Sequence, residues 1–137
     1  MTDAKVNYNF EESPLGSNQL LVKNEEGRTV EHLELILASK AFGEVLEFDG
    51  IVDDAYGMIN IDDKREIRTT QIDTADTFVV GAAVYFDPGA ASAAGKLVDT
   101  SGSGNVAVGT ITYVDAGVAI GFRPYVQNMS ATGLVVT

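Results

Sequence analysis

The side chains that could perform catalysis are few, and their spacing fits no catalytic motif. His32 is the only histidine of the chain, and cysteine is absent. A Ser-His-Asp triad would have to use His32, but the sequence contains no G-x-S-x-G elbow to supply the serine nucleophile. The absence of cysteine excludes thiol nucleophiles, disulfides and Cys-based zinc sites. We therefore expect no catalytic residue, no metal site and no cofactor, and a protein that is not an enzyme.

The sequence also contains two pairs of adjacent carboxylates, Asp53-Asp54 and Asp62-Asp63. If two turns brought them together, their oxygens would suit Ca²⁺. Neither pair fits the EF-hand pattern D-x-[DN]-x-[DN]-G, and adjacent acids on a strand point to opposite faces. We favour the interpretation that all four are solvated turn residues. A hydrolase or a Ca²⁺-dependent carbohydrate-binding module that uses these acids is the alternative from a different class.

Three further segments match only part of a functional motif. Asp73-Thr-Ala and Asp99-Thr-Ser lack the glycine of the aspartic-protease triplet D-[ST]-G, and a protease dyad needs two such carboxylates. Residues 102–107 match G-x-G-x-x-A, but a dinucleotide site needs a helix after the glycines, and the sequence continues with β-branched residues. These partial matches favour a binding or structural role.

Composition and charge exclude several classes of protein. The chain has 137 residues, of which 45% are hydrophobic and 21% are charged, and this predicts one globular domain. Its net charge is −11, so we expect no direct contact with nucleic acid, whose phosphates need a basic surface. No stretch of ~20 apolar residues predicts a membrane span. Polar residues follow Met1, so we expect no secretory leader.

The pattern of apolar residues indicates short strands separated by turns. Turn signals such as Asp49-Gly50 recur at intervals of ~8–12 residues, which is typical of an all-β sandwich or barrel. Residues 106–114 and 118–126 form the clearest pair, because the connection between them ends in Gly117 and fits a hairpin with a bulge. Pro124 places the second strand, or its end, at a sheet edge. Further strands are predicted at residues 19–23, 45–48, 58–61, 66–72, 77–87 and 96–98, with a last one near the C-terminus.

Three stretches are less clear in their local structure. Residues 28–38 fit a strand with Leu33, Leu35 and Leu37 pointing inward, and they also fit a short helix; we favour the strand. Residues 39–43 indicate a loop or a helical turn. Gly81 interrupts the run 77–87 and suggests a bulge or a close backbone approach.

Residues 1–18 are predicted to form an N-terminal arm, and residues 19–137 a single β-rich domain. The arm contains Pro14 and Gly16 and shows no sustained period. Its aromatic residues Tyr8 and Phe10 suit docking on another protein, and they equally suit folding back onto their own domain. The sequence leaves both alternatives open.

The segment 78–87 (FVVGAAVYFD) carries a resemblance to a known family. It contains the pattern G-x-x-V-Y-[FW]-D, and a Gly-, Ala- and Ser-rich loop, Lys96-Leu97, the strand 106–111 (VAVGTI) and a closing strand follow it. This order resembles the small capsid decoration proteins of bacteriophages, also called head-stabilising or cement proteins. The resemblance covers residues 44–126. Residues 1–43 lie outside it. It departs from the family at Val108, where the family has Ile before the glycine, and at Thr110, which follows the glycine.

The resemblance implies a fold, a function and partners. The fold is an all-β small β-barrel or β-tulip/sandwich, here with an extended N-terminal arm. The function is that of a virion structural protein, which binds the outer surface of the head and stabilises the shell against the pressure of packaged DNA. The implied partners are the major capsid protein and further copies of the chain in a homo-oligomer, a trimer. The implied location is the outer capsid surface of the virion, after assembly in the host cytoplasm.

A second hypothesis is that the protein is another phage structural subunit, from a tail, a connector or a fibre. In either case an interface needs apolar anchors, which must supply enough contact area to offset the ordering of the arm. Residues 1–76 contain seventeen acids and seven bases, and this charge would keep the free protein soluble. The interface residues that we predict are Tyr8, Phe10, Leu15, Leu20, Leu21 and Val22.

Overall fold

The computed structural model describes residues 18–38, 40–89, 93–102 and 104–127. Within these ranges the chain forms nine strands in two antiparallel sheets, which confirms the all-β prediction. The sheets are sandwich-like and do not close into a barrel. The predicted arm up to residue 17 and the predicted C-terminal strand lie outside the described residues. The strands are β1 (Gln19–Lys23), β2 (Leu35–Ala38), β3 (Ala41–Val45), β4 (Tyr56–Asn60), β5 (Ile67–Thr69), β6 (Ala83–Asp87), β7 (Lys96–Val98), β8 (Val106–Asp115) and β9 (Ala119–Pro124).

The four-stranded sheet has the strand order β1-β4-β3-β2. Alternate residues of a strand point to opposite faces, and one face of this sheet is apolar. Val22 of β1 and Ile59 of β4 are buried there, 4% and 0% exposed. The cluster beneath this face consists of Val22, Val30, Ile36, Ala38, Ala41, Val45, Ile51, Ile59 and Ile61.

Two loops, residues 24–34 and 46–55, contribute to that cluster and are called the loop pair below. They lie side by side, because Val30 and Ile51 form an antiparallel bridge and exchange two backbone hydrogen bonds of 2.9 and 3.0 Å. Both side chains are buried, at 0% and 2% exposure. The loop pair is therefore anchored by its own apolar residues, and backbone hydrogen bonds also join it to the sheet, from Leu33 to Val45 at 2.8 Å and from Leu46 to Met58 at 2.9 Å.

The five-stranded sheet has the strand order β5-β9-β8-β6-β7. Its two outer strands approach one another, because Ile72, three residues after β5, forms a parallel bridge with Leu97 of β7. The sheet must curve strongly to allow this contact. Leu35 and Phe42, from β2 and β3, complete the core inside the curve. The cluster consists of Leu35, Phe42, Ile67, Ile72, Phe78, Val84, Phe86, Leu97, Val108, Ile111, Ile120 and Phe122.

The β8–β9 hairpin forms as predicted. Asp115 lies opposite Ala119 at its end, and Gly117 has a φ of +74°, a conformation that glycine adopts without strain. Pro124 is the last residue of β9. It lies beyond the three residues of β9 that pair with β5, so the end of the strand accommodates the missing N–H.

Residues 28–38 form neither one continuous strand nor a helix. A turn with a 3.0 Å hydrogen bond from the Glu34 amide to the Glu31 carbonyl interrupts them. Leu33 has a φ of +68° and is 52% exposed, so the prediction that it points inward is wrong. The Arg28 guanidinium binds both carboxylate oxygens of Glu34, and this contact stabilises a turn that apolar spacing alone cannot reveal.

The prediction of a loop at residues 39–43 is also wrong, because β3 begins at Ala41. Ala38 pairs with Ala41, so the connection between β2 and β3 has two residues. Lys40 in this connection has a φ of +69°. Tight hairpins usually place glycine or asparagine at such a position, and the sequence therefore lacked the expected turn signal.

The predicted run 77–87 is shorter in the structure, because β6 begins at Ala83. Gly81 lies in the turn before it and has a φ of +92°. The prediction of a bulge or a close backbone approach at Gly81 is therefore wrong, since no atom beyond its neighbours in the chain lies within 4 Å of a Cβ placed there. A register shift occurs instead between Val84 and Tyr85 in the pairing with β8. Gly109 of β8 lies opposite Val84, and a Cβ there would lie 2.5 Å from the Arg123 carbonyl oxygen.

Two glutamine side chains form hydrogen bonds with strand backbone groups that have no neighbouring strand to pair with. The amide group of Gln71 accepts from the Leu35 N–H and donates to the Leu35 carbonyl, both at 2.9 Å, on the strand β2 at the edge of its sheet. Gln127 makes the same two contacts with Phe42 of β3, at 2.9 and 2.5 Å. Gln71 also donates to the Gly95 carbonyl at 2.9 Å. These side chains link the β2–β3 hairpin to the five-stranded sheet.

Candidate interaction surface

Three of the six predicted interface residues lie outside the described part of the chain: Tyr8, Phe10 and Leu15. Of the other three, Leu21 is 60% exposed and Val22 is buried in the core beneath the sheet. Leu20 is half-buried and packs against the same core. Leu21 is thus the member of this group whose side chain is mostly exposed. The interface role of all six residues stays a prediction.

Leu21 has apolar neighbours on the outer face of β1 and β4. It lies opposite Met58, and Lys23 lies opposite Tyr56. Tyr56 is 66% exposed and shares the face of Met58, because residues two apart on a strand point the same way. We call Leu21, Met58 and Tyr56 the β1–β4 face. It lies on the strand that follows the predicted arm directly in sequence.

The loop pair carries a second group of exposed apolar side chains. Leu33, Phe48 and Val52 are 52%, 84% and 58% exposed. The ring of Phe48 lies 5.3 Å from that of His32, centroid to centroid, at an interplanar angle of 56°. Five exposed acids lie in the same two loops: Glu25, Glu31, Asp49, Asp53 and Asp54.

The sequence predicted Phe48 to be part of a strand, and the structure places it in a turn. β3 ends at Val45, and the Gly50 amide donates to the Glu47 carbonyl at 2.9 Å. Phe48 and Asp49 are the two central residues of this turn. The signal that could have located Phe48 is the Asp49-Gly50 turn dipeptide, which follows it at once.

A groove of about 760 Å³ lies between the edge strands β2 and β5. Its lining includes residues 31–35 and 67–71. His32 and Leu33 belong to both this lining and the loop pair, so the groove borders the exposed apolar group around Phe48.

The half-buried carboxylates of the groove are paired with arginines. Glu34 binds Arg28 and also accepts from the Glu31 amide at 3.0 Å. Glu44 binds Arg65 at 2.7 Å. The hydrogen bond to Glu34 is the largest of the effects that raise the pKa of Arg28. These contacts fix the charges of the groove in ion pairs that hold the loop pair and β3 in place.

Arg68 of β5 is one of the residues that line the groove, and it takes part in a small network with Glu66, Thr112 and Tyr113. Its guanidinium carbon stacks 3.8 Å from the ring centroid of Tyr113, and its Nε donates to Glu66 at 2.8 Å. The Thr112 hydroxyl also donates to Glu66, at 2.5 Å. The hydrogen bonds from Thr112 and Arg68 lower the pKa of Glu66.

The structure does not bring the two acid pairs together. Asp53 and Asp54 precede β4, and Asp62 and Asp63 follow it; a five-residue strand separates its ends by about 17 Å. Asp53 accepts from the Gly27 amide at 3.0 Å, and Asp62 from the Lys64 amide at 2.9 Å. In the part of the chain that is described, no group of three or more His, Cys, Asp or Glu side chains is arranged to hold a metal ion.

A third group of acids, which the sequence did not predict, joins the loops around β7. Asp76 accepts from the Asp99 amide at 2.9 Å, and Asp99 accepts from the Thr77 amide at 3.0 Å. The hydrogen bond from Asp99 lowers the pKa of Asp76, but burial and the charges of Asp99 and Asp73 raise it, and the net pKa is raised. The Asp99 amide thus forms its hydrogen bond with Asp76. Asp73, the acid of the other partial protease motif, is not its hydrogen-bond partner.

Comparisons with known proteins give no further assignment. No protein-family model matches the chain. Searches of curated proteins and of solved structures also return no match. Among the residues that the structure describes, no helix has the length and apolar character needed to cross a membrane.

Proposed function

We propose that the protein is a structural subunit of a bacteriophage virion, a decoration protein that binds the outer surface of the head. The observation that supports this most is the β1–β4 face, where Leu21 and Tyr56 are 60% and 66% exposed on neighbouring strands. Grouped exposed apolar side chains favour contact with another protein. β1 follows the predicted arm directly in sequence, and we expect Tyr8 and Phe10 of that arm to bind the same partner.

The segments that resemble the decoration family support the proposal because they pack on one another. Val84 and Phe86 of the motif at residues 78–87 are 0% and 1% exposed in the main core, and Gly109 lies opposite Val84 in the neighbouring strand. The motif residues thus have a structural use in the fold. Because they are buried, they support the proposed family by their place in the fold. They do not indicate which surface binds the shell.

The proposed mechanism is bracing without a reaction. Each subunit contacts the shell through a small apolar footprint, and several subunits in one oligomer add their footprints together. Linked contacts bind far more tightly than single ones, because the second binding event is intramolecular. A rigid β-domain suits this task, since the force between capsid subunits passes through its hydrogen-bonded sheets.

The heat stability of phage heads tests the proposal. Heads assembled without this protein are warmed alone, with the wild-type chain, or with a variant that carries Leu21→Ser and Tyr56→Ser, and released DNA is measured. We expect the wild-type chain to raise the temperature of DNA release and the variant to raise it less. Val118→Ser is the matched control, because Val118 is 53% exposed and lies at the turn of the β8–β9 hairpin, in the other sheet. Equal DNA release with and without the wild-type chain would overturn the proposal.

The number of copies of this protein per particle distinguishes a head protein from a tail or connector subunit. Electron microscopy of the particles should show hundreds of copies over the shell. Six or twelve copies in a ring would instead identify a tail or connector subunit.

A further inference from the structure

We propose that the loop-pair surface centred on Phe48 is a second docking site, which inserts the Phe48 ring into an apolar socket ringed by Lys and Arg side chains on the major capsid protein. This inference rests on the proposed function and adds a separate contact with defined chemistry. Phe48 is 84% exposed, which makes it the most exposed large apolar side chain in the described part of the chain. Aromatic anchors in matching pockets supply much of the energy of protein interfaces.

The turn that presents Phe48 is held in one conformation. Its closing hydrogen bond joins the Gly50 amide and the Glu47 carbonyl at 2.9 Å. Gly50 has a φ of +78°, and a Cβ at this position would lie 2.3 Å from the Val30 carbonyl oxygen. The turn therefore packs closely on the other half of the loop pair. An anchor that is rigid before binding loses less entropy when it docks.

The neighbours of Phe48 extend its apolar surface. The centroid of the His32 ring lies 5.3 Å from that of Phe48. Leu33, which follows His32 in the chain, is 52% exposed. The turn at residues 31–34 is fixed by the ion pair of Arg28 with Glu34. Phe48 and His32 thus form a projecting pair of rings supported by two hydrogen-bonded turns, and Leu33 adds an exposed apolar side chain beside His32 in sequence.

The charges around this projection determine which partner fits. Residues 25–54 contain nine acids and two bases, and one of those bases, Arg28, is already paired with Glu34. Five of the acids are exposed on the loop pair, whose residues 24–34 and 46–55 present no exposed Lys or Arg. A second copy of this surface would be repelled, and so would an anionic lipid or phosphate surface. A socket with a cationic rim is attracted, and its association would depend on salt.

The experiment measures binding of the labelled full chain to heads assembled without it, at about 50 and about 300 mM NaCl. We expect Phe48→Ser to weaken binding by about tenfold or more, and Val118→Ser to leave it unchanged. Both side chains are exposed, so unfolding midpoints should match that of the wild type. A variant with Glu31→Gln and Asp49→Asn should bind less tightly than the wild type at low salt and equally at high salt.

Each outcome bears on a different part of the inference. If the wild-type chain binds and Phe48→Ser binds as tightly as Val118→Ser, the Phe48 site is refuted and the proposed function stands. If the wild-type chain does not bind, the proposed function fails and this inference fails with it. Light scattering of the free chain adds a third arm: a lower mass for Phe48→Ser would show that a second copy covers Phe48, which refutes the capsid socket.

Discussion

At the scale of single residues, Asn24 is the polar side chain on which the loop pair depends. It is 0% exposed, yet all its polar atoms have partners. Its Nδ2 donates to the Arg28 and Ile51 carbonyls at 2.7 Å each, and its Oδ1 accepts from the Glu26 amide at 2.9 Å. A buried amide with this set of partners can be replaced by no other side chain without the loss of a hydrogen bond.

Asn24→Asp is therefore expected to lower the free energy of unfolding by about 2–4 kcal/mol, because a carboxylate oxygen would replace Nδ2 and face two carbonyls in a buried site. Urea unfolding at pH 7 measures the change. Asn105→Asp is the control: it adds the same charge at a loop residue whose amide makes one exposed hydrogen bond of 3.2 Å. A loss as small as that of the control would contradict the role given to Asn24.

The second residue-scale prediction concerns pH. The pKa of Asp76 is raised in the fold, so protonation of Asp76 favours the folded state. Its contribution to stability is fully present below its ordinary pKa and is lost as the pH rises through the raised value. Asp76→Asn keeps an oxygen acceptor for the Asp99 amide and removes the charge.

We expect Asp76→Asn to be more stable than the wild type at pH 7, by less than about 1 kcal/mol because water screens half-exposed carboxylates. The gain should disappear near pH 3.5, where the wild-type carboxyl is protonated as well. The urea unfolding midpoints of both proteins at the two pH values measure this difference in stability. An advantage of the variant that persists unchanged at pH 3.5 would show that charge repulsion is not the cause.

At the scale of elements, the edge of the four-stranded sheet is held by a side chain. Gln71 makes three hydrogen bonds of 2.9 Å, two with Leu35 of β2 and one with Gly95. Gln71→Ala is expected to lower the free energy of unfolding by about 1–3 kcal/mol, since part-buried backbone groups lose their partners. Gln19→Ala, at an exposed position of β1, serves as the control in the same urea experiment, and an equal effect would refute the linkage.

The packing of β8 against β9 gives a second prediction at this scale. A Cβ on Gly109 would lie 2.5 Å from the Arg123 carbonyl oxygen and 2.8 Å from the Phe122 ring. Gly109→Ala should therefore cost about 1–3 kcal/mol through overpacking. Gly102→Ala is the control, because the nearest atom to its Cβ is the end of the Asn105 side chain at 3.3 Å. Thermal unfolding of both variants should show a lower midpoint for Gly109→Ala alone.

At the scale of the whole molecule, the net charge of −11 opposes folding through self-repulsion. Salt screens this repulsion, so an increase from about 10 to about 500 mM NaCl should raise the unfolding temperature at pH 7 by several degrees. The same salt increase at a pH close to the isoelectric point, about 4.2, is the matched control. We expect little gain there, and equal gains at both pH values would indicate a salt effect unrelated to net charge.

The strands were largely predictable because alternation is a local property. QLLVK at β1, KLV at β7 and the β8–β9 hairpin follow from β-branched runs and a glycine at the turn. Leu33 and Lys40 were not predictable, because both adopt a positive φ that their side chains disfavour. The ion pair of Arg28 with Glu34 and the hydrogen bond from the Leu33 amide to the Val45 carbonyl hold the first of these turns.

The candidate surfaces were predictable only in part. Leu20, Leu21 and Val22 have similar apolar side chains in sequence, and only the pairing of β1 with β4 decides that Leu21 points outward and Val22 inward. Phe48 looked like a strand residue because it follows Val45 and Leu46. Its exposure depends on the turn at Gly50 and on the bridge between Val30 and Ile51, which joins residues far apart in sequence.

The sequence by itself determined the all-β class, the acidic character and the lack of thiol chemistry, because these follow from composition and from the two-residue period of strands. The tertiary structure alone decided that Gln71 completes a sheet edge, that Asn24 is buried and that Phe48 projects from the loop pair. Each of these depends on which distant segments meet, and the free energy of such contacts is set by the whole fold and not by neighbouring residues in the chain.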